Sequence, residues 1–280
     1  MLSYETIDLN DYTHSGEGGT AISYKHKTKN TLAKLYNPGF EADRAVGEFL
    51  TARTVFEMGI PTPEPIRLVT DGERYGAEYA FIPGKRSFTR IISEEPERLE
   101  EISLAFARYT RDLHNTKADP RLRSYKQVLQ EFYKEKDLVP ADYKERALRF
   151  LEQIPDAPTC LHGDLQIGNI ITDGQRTLWI DVGEFSHGLP EWDNSVLWTI
   201  CHNMDKNRAN FLFHLEPETL TKHWDIFLPA YLGTTDQQTL GNYCRRLLPF
   251  YAVKVPYVFD MAYHTRMPDI AFQKITPLLP

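Results

Sequence analysis

The sequence predicts an α+β protein: a small β-sheet part carrying one long helix, followed by a larger α-helical part. Three observations predict it. Short β-prone runs separated by turn residues crowd the first 82 residues, and one helical stretch, Glu41 to Met58, interrupts them. From Pro83-Gly84 onward helical periodicity takes over and is broken only by one hairpin.

The elements follow in order. Ser15 to Thr20, Ser-Gly-Glu-Gly-Gly-Thr, reads as a Gly-rich turn, and Ala21 to His26 as a strand. Thr28-Lys29-Asn30 turns the chain into a second strand, Thr31 to Tyr36, which Asn37-Pro38-Gly39 ends. Between Glu41 and Met58 the residues Val46, Phe49, Leu50 and Phe56 fall at helical spacing, and Gly59 stops the helix. Pro61, Pro63 and Pro65 precede two further strands, Ile66 to Thr70 and Tyr75 to Ile82, joined through Asp71-Gly72. Pro83-Gly84 is the natural boundary, which gives an N-terminal part at 1–83 and a C-terminal part at 84–280. In the second part Leu99, Ile102, Phe106, Tyr109 and Leu113 form an apolar stripe. Helices continue from Ser124 to Gln153 and resume at Trp192.

Composition narrows the function classes. With 280 residues, 41% hydrophobic and 25% charged, the chain is expected to be an ordinary soluble globular protein. A net charge of -7 argues against a general nucleic-acid binder, which carries a basic face, and would suit a cationic small partner. Cys160, Cys201 and Cys244 are widely spaced without a CxxC pair, as expected of reduced thiols. The polar N-terminus does not read as a signal peptide. No apolar run reaches the roughly 20 residues of a membrane helix, so a cytoplasmic protein without membrane contact is expected.

The informative stretch is LHGDLQIGNIITDGQRTLWIDVGE, residues 161 to 184. Ile170-Ile171-Thr172 and Thr177-Leu178-Trp179-Ile180 are β-prone arms around Asp173-Gly174, a strong turn pair. Folded antiparallel, they bring Asn169 within a residue of lying opposite Asp181, and cross-strand neighbours sit roughly 5 Å apart. An amide oxygen and a carboxylate would then share one end of the ribbon, with Asp164 a short loop upstream. Two oxygen donors are too few for a structural ion but suit magnesium that also holds nucleotide phosphates. Asp164 is left to orient a hydroxyl and accept its proton.

These residues carry a resemblance. His162-Gly163-Asp164-Leu165 with Asn169 follows the kinase pattern H-R-D-L-x-x-x-N except at the Arg, and Asp181-Val182-Gly183 follows D-F-G except at the Phe. With Gly188-x-Pro190-x-x-Asp193 downstream, the chain resembles the aminoglycoside phosphotransferase/choline kinase-like group of the protein-kinase-like fold. The likeness runs from the Gly-rich turn to about Asp193, and the C-terminal helices carry no assignable motif. It implies a two-lobed fold, with an N-terminal nucleotide-binding lobe. The C-terminal lobe would then hold the catalytic loop, metal site and acceptor pocket.

By resemblance, Lys34 would position the nucleotide phosphates and Glu48 would brace it, with Glu41 and Glu57 as competing choices. Gly16, Gly18 and Gly19 would approach phosphate, and adenine would meet the backbone at about Ala80 to Ile82. Asn169 and Asp181 would hold Mg, and Asp164 would be the catalytic base. His162 and Asp193 would support the loop. The implied reaction transfers the γ-phosphate of ATP, or in second place GTP, to a hydroxyl of a small metabolite or aminoglycoside-like compound.

The departures sharpen this. Gly163 cannot receive a phosphorylated activation loop as the kinase Arg does. Pro190 stands only nine positions after Asp181, an interval too short for a protein-substrate platform. A small acceptor is expected. The rivals are a catalytically silent nucleotide-binding module and a metal-dependent hydrolase using His162, Asp164, Asp181 and His187. His14, His114, His187 and His202 read as surface or packing residues, and the large aromatics Trp192, Trp198, Trp224, Tyr251 and Tyr257 as core. Glu184, Glu191 and Asp205 read as solvated acids.

Overall fold

A six-stranded sheet and one α-helix form the main part of the first of two structural units, and side-chain alternation explains the sheet. The strands are β1 (Glu5–Thr6), β2 (Tyr12–Glu17), β3 (Ala21–His26), β4 (Thr31–Tyr36), β5 (Pro65–Thr70) and β6 (Tyr75–Ala80). They run in the spatial order β1-β5-β6-β4-β3-β2, with β1 parallel to β5 and every other neighbour pair antiparallel. This computed structural model describes residues 3–17 and 20–280, so Gly18 and Gly19, both expected near phosphate, lie outside the described residues.

In β4, Ala33 and Leu35 are fully buried in a cluster with Ile7, Tyr12 and Val69. Leu32 and Lys34 alternate onto the other face, as a period of two requires. Gly76 of β6 allows close strand contact, since an added Cβ would stand 1.9 Å from the Lys34 carbonyl oxygen. The strands at Ala21–His26 and Thr31–Tyr36 have the bounds the sequence predicts. The Gly-rich segment differs. Gly16 is not in a turn but in β2, at a register shift beyond His14, and pairs with Ser23.

The helix α1 (Ala42–Glu57) buries Ala45, Phe49, Ala52 and Val55. Leu50 and Phe56, expected on its apolar face, are 43% and 41% exposed. Small alanines, weak signals in a hydrophobicity reading, take their place. The same unit includes Ile170–Phe185. Here Ile170–Thr172 pairs antiparallel with Thr177–Trp179, with Leu178 opposite Ile171. Ile171, Leu178 and Ile180 pack with Ile82, and the Trp179 N–H donates to the Pro61 carbonyl at 2.8 Å. Sequence alone assigns this hairpin to residues 84–280. In the structure it belongs with the N-terminal unit, whose first segment ends at Arg86.

The second unit comprises Ser87–Asn169 and Ser186–Pro280. Its helices are α2 (Phe88–Glu94), α3 (Leu99–His114), α4 (Tyr125–Glu135), α5 (Ala141–Gln153), α6 (Glu191–Asn203), α7 (Lys206–Phe213), α8 (Pro217–Leu232), α9 (Gln237–Tyr263) and α10 (Asp269–Ile275). One hydrophobic core joins Leu129, Tyr133, Tyr143 and Leu151 to Trp192 and Val253. Pro249 and Pro256 lie inside α9. Pro256 has no N–H for the Ala252 carbonyl one turn earlier, and the Tyr143 hydroxyl donates to that oxygen instead. Tyr133 likewise donates to the Val253 carbonyl at 2.7 Å. These bonds tie α9 to α4 and α5. No helix among the described residues is long and apolar enough to cross a membrane.

His223 of α8 gives the second unit an acid-sensitive point. His223 is 1% exposed, Nδ1 lies 2.9 Å from the Ser103 hydroxyl, and Nε2 has no hydrogen-bond partner among the described residues. Burial disfavours the imidazolium and pushes the pKa down to about 3. An unfolded histidine titrates near 6.5, so below that pH the unfolded chain binds the extra proton. The stability is present above about 6.5 and is lost progressively as pH falls toward 3. Urea midpoints measured between pH 7 and pH 4 are expected to fall, with a loss on the order of a few kcal/mol, and to fall less steeply in His223→Gln. Equal slopes in the two proteins would remove this assignment.

Candidate active site

Within the first unit, one cavity holds most of the nucleotide-site residues expected from sequence. It encloses about 760 Å3 of empty space, open solvent included, and Lys34, Glu48, Ala80, Ile82 and Asp181 all line it. β4 supplies Lys34 on the face opposite its core residues, α1 supplies Glu48, and the segment after the hairpin supplies Asp181. Gly16 is not among the lining residues, although its strand partner Ser23 is.

Lys34 Nζ donates to Asp181 Oδ1 at 2.7 Å. Burial alone would lower the Lys34 pKa, but the Asp181 and then the Glu48 carboxylates outweigh it, and the ammonium is held above its ordinary value. Glu48 acts through its field. Its carboxylate accepts from the Tyr36 hydroxyl and from Arg44 Nε at 3.4 Å, not from Lys34. The competing acids lie elsewhere: Glu41 precedes α1 as its cap residue, and Glu57 pairs with Arg53 at 3.8 Å.

Asp181 has φ 55° and ψ 45°, the left-handed region that a non-glycine residue enters at a cost. That turn points its carboxylate into the cavity and starts the 3-10 turn Val182–Glu184. Gly183 must stay small. A Cβ there would lie 2.9 Å from both Cγ and Oε2 of Glu48, so the third position of the Asp-Val-Gly motif keeps α1 close. Lys85, which the sequence did not single out, also lines the cavity. Burial lowers its pKa, partly countered by Asp181.

The second unit builds the loop at His162–Asn169. Asp193, fully buried at the start of α6, accepts from the backbone N–H of His162 at 2.7 Å and of Gly163 at 2.9 Å. Its Oδ2 also lies 3.1 Å from His114 Nε2, and His114 Nδ1 lies 2.8 Å from the Tyr231 hydroxyl. Burial would raise the Asp193 carboxyl, but the His114 hydrogen bond, then the fields of His114, Lys254 and His162, hold it below the usual carboxylate range. His114, read from sequence as a surface or packing side chain, is thus a partner of the loop's anchor.

Asp164 is exposed, at the turn of this loop. Asn169 Nδ2 donates to its backbone oxygen at 2.9 Å and to Oδ2 at 3.0 Å. Two acceptors on that side fix the amide orientation, and Oδ1 on the other side accepts from Gln166 Nε2 at 2.9 Å. His162 Nδ1 accepts from the Asp164 N–H at 3.3 Å, and His187 Nδ1 lies 3.1 Å from the Ala157 carbonyl. Both histidines of the hydrolase alternative are therefore engaged in local backbone contacts. Among the described residues no group of three or more His, Cys, Asp or Glu side chains is placed to hold a metal ion.

The family pattern that matches this sequence is that of the phosphotransferase enzyme family, over residues 18–217. The chain belongs to the phosphotransferase enzyme family. Solved structures similar to this family member share its protein-kinase-like fold. One is a choline/ethanolamine kinase family protein from Mesorhizobium loti, at 15% identity and TM-score 0.57, covering 95% of this chain and 87% of that one. Another is a thermostable mutant of aminoglycoside phosphotransferase APH(4)-Ia in ternary complex with ADP and hygromycin B, at 13% identity and TM-score 0.58, covering 96% and 90%. A third is choline kinase LicA from Streptococcus pneumoniae, at 11% identity and TM-score 0.52, covering 94% and 89%. No curated protein matches the chain in sequence.

One further residue of this phosphotransferase-family chain was not found from sequence. Lys254 of α9 is 2% exposed and reaches the loop itself, donating to the Gly163 carbonyl at 2.6 Å. Its only sequence signal is a lone lysine in the apolar run Phe250 to Phe259.

Proposed function

We propose that this phosphotransferase moves the γ-phosphoryl group of ATP to a hydroxyl of a small molecule. The observation that carries the reading is the Lys34–Asp181 pair, 2.7 Å apart on the wall of a cavity that Ala80 and Ile82 also line. A lysine held charged and a carboxylate at the same opening suit a phosphate chain and its counterion.

Nucleotide enters along Ala80 to Ile82, and Lys34 contacts its phosphates. Asn169 and Asp181 would hold magnesium, which would supply positive charge to neutralise the transferring oxygens. The donor chemistry fits a hard ion: both groups offer oxygen, and the Asn169 amide is oriented with Oδ1 away from Asp164. Asp164 orients the acceptor hydroxyl and takes its proton. Catalysis in this chemistry is mainly positioning and charge neutralisation. The net charge of -7 suits a cationic acceptor, and choline and hygromycin B, for which the similar enzymes are named or with which they are bound, are the first compounds to screen.

The test combines a binding titration with a transfer screen. Lys34→Met is expected to weaken MgATP binding about tenfold or more, with Tm little changed, because a pair this exposed contributes roughly 0–1 kcal/mol. Phosphate transfer from ATP to one of a panel of choline-like amines, amino sugars and aminoglycosides is expected of the wild type. Unchanged ATP affinity in Lys34→Met would sink the reading.

A further inference from the structure

We infer that Lys254 is a positioning residue for Asp164, acting through the peptide bond between Gly163 and Asp164. The inference rests on the reading of Asp164 as the group that meets the acceptor. Lys254 itself lies beyond the matched residues 18–217.

The geometry is a clamp on one peptide unit. Its carbonyl, on Gly163, accepts from Lys254 Nζ at 2.6 Å. Its N–H, on Asp164, donates to His162 Nδ1 at 3.3 Å. A peptide is planar, so fixing its oxygen and its hydrogen fixes the direction in which the chain leaves toward the Asp164 side chain. The preceding N–H groups are already held by Asp193. Those two bonds end at Gly163 N–H, and the rotation of the next peptide is held by Lys254 at its oxygen and by His162 at its hydrogen.

Gly163 makes the clamp necessary. Its φ is 84°, a conformation only glycine adopts at low cost, and a glycine permits its following peptide to rotate more freely than any other residue. The carbonyl is buried at the same time. Without a donor it would turn toward another partner or toward water. Turning it carries the Asp164 carboxylate away from the Asn169 amide, 3.0 Å distant.

Lys254 is built into its place. Nζ stands 4.3 Å from the centre of the Tyr125 ring and 3.4 Å from the Trp192 carbonyl, the residue just before Asp193. The helix that carries it is fastened one and two residues earlier by Tyr133 on Val253 and Tyr143 on Ala252. A buried ammonium is costly unless paired, and here it has two carbonyls, an aromatic face and the field of Asp193.

The decisive variant is Lys254→Met, which keeps the length and loses the donor. Its crystal structure, with the full chain, is expected to show the Gly163–Asp164 peptide rotated and the Asp164–Asn169 side-chain bond broken. An unmoved peptide overturns the inference whether or not the protein transfers phosphate. In solution, ADP release from MgATP with water as the acceptor is expected to fall on the order of 100-fold, while the KM for ATP stays within about threefold. In an Asp164→Asn background the same change is expected to add little, since both act on one group. Losses that multiply, or a KM that rises as kcat falls, contradict a positioning role. If the wild type releases no ADP with water as the acceptor, the crystallographic comparison alone decides, and the acceptor screen above tests the phosphotransfer reading separately. Should Lys254→Met not fold, Lys254→Gln, which keeps an N–H donor on a shorter stem, is expected to show the same rotation to a smaller extent; an unmoved peptide there again overturns it.

Discussion

Asp181→Asn is expected to lower MgATP turnover by about 10³-fold while leaving magnesium-free nucleotide binding nearly unchanged. Asparagine is the informative replacement because Asp181 sits at φ 55°, and asparagine tolerates that left-handed conformation where alanine adds strain. The substitution therefore removes the charge and keeps the turn. Two effects combine: Lys34 loses the negative charge of its 2.7 Å partner, and the proposed magnesium loses its only carboxylate. Stability should barely respond. The side chains of the pair are 24% and 50% exposed, so it contributes roughly 0–1 kcal/mol, a Tm change within about 4 °C. Steady-state kinetics over a magnesium series, with melting curves on the same samples, measures both. A drop in kcat below about tenfold would remove Asp181 from the reaction.

Asp164→Asn is expected to reduce kcat by roughly 10²–10⁴-fold, the usual range for a general base, with the KM for ATP unaffected. The loop should survive the change. Asn169 still donates to the backbone oxygen of residue 164, and Asp193 still holds the two N–H groups before it. The carboxylate makes one contact beyond these, the 3.0 Å bond from Asn169 Nδ2, and stands at an exposed turn. That exposure is what an acceptor hydroxyl requires. Comparable, mild changes in kcat and KM would assign Asp164 to substrate binding alone and leave the base unidentified.

The two units were legible to different degrees. Ala21–His26 and Thr31–Tyr36 stand out because both alternate and both are bounded by turn residues. The hairpin around Asp173-Gly174 stands out for the same reason. β2 was not found: its residues are polar and mostly exposed at the sheet edge, and Gly16 reads as a turn while serving as a strand residue beside a register shift. The buried face of α1 was misassigned because Ala45 and Ala52 carry little hydrophobic signal beside Leu50 and Phe56. In the cavity, Lys34 was legible from strand alternation. The partner of Glu48 was not, since helix register alone cannot choose between a lysine and a tyrosine on the same strand.

What the sequence by itself determined is whatever depends on neighbours along the chain: strand period, turn pairs, helix stops, and the order of the His-Gly-Asp, Asn and Asp-Val-Gly groups that places this chain in its family. Tertiary structure alone decided the anchoring of the loop. Lys254 reaches the Gly163 carbonyl across 91 residues and His114 reaches Asp193 across 79, both as buried contacts. The physical reason is the cost of burial. A lysine or histidine far along the chain looks like any solvated side chain until packing removes the water, and only then does the partner it must find become fixed.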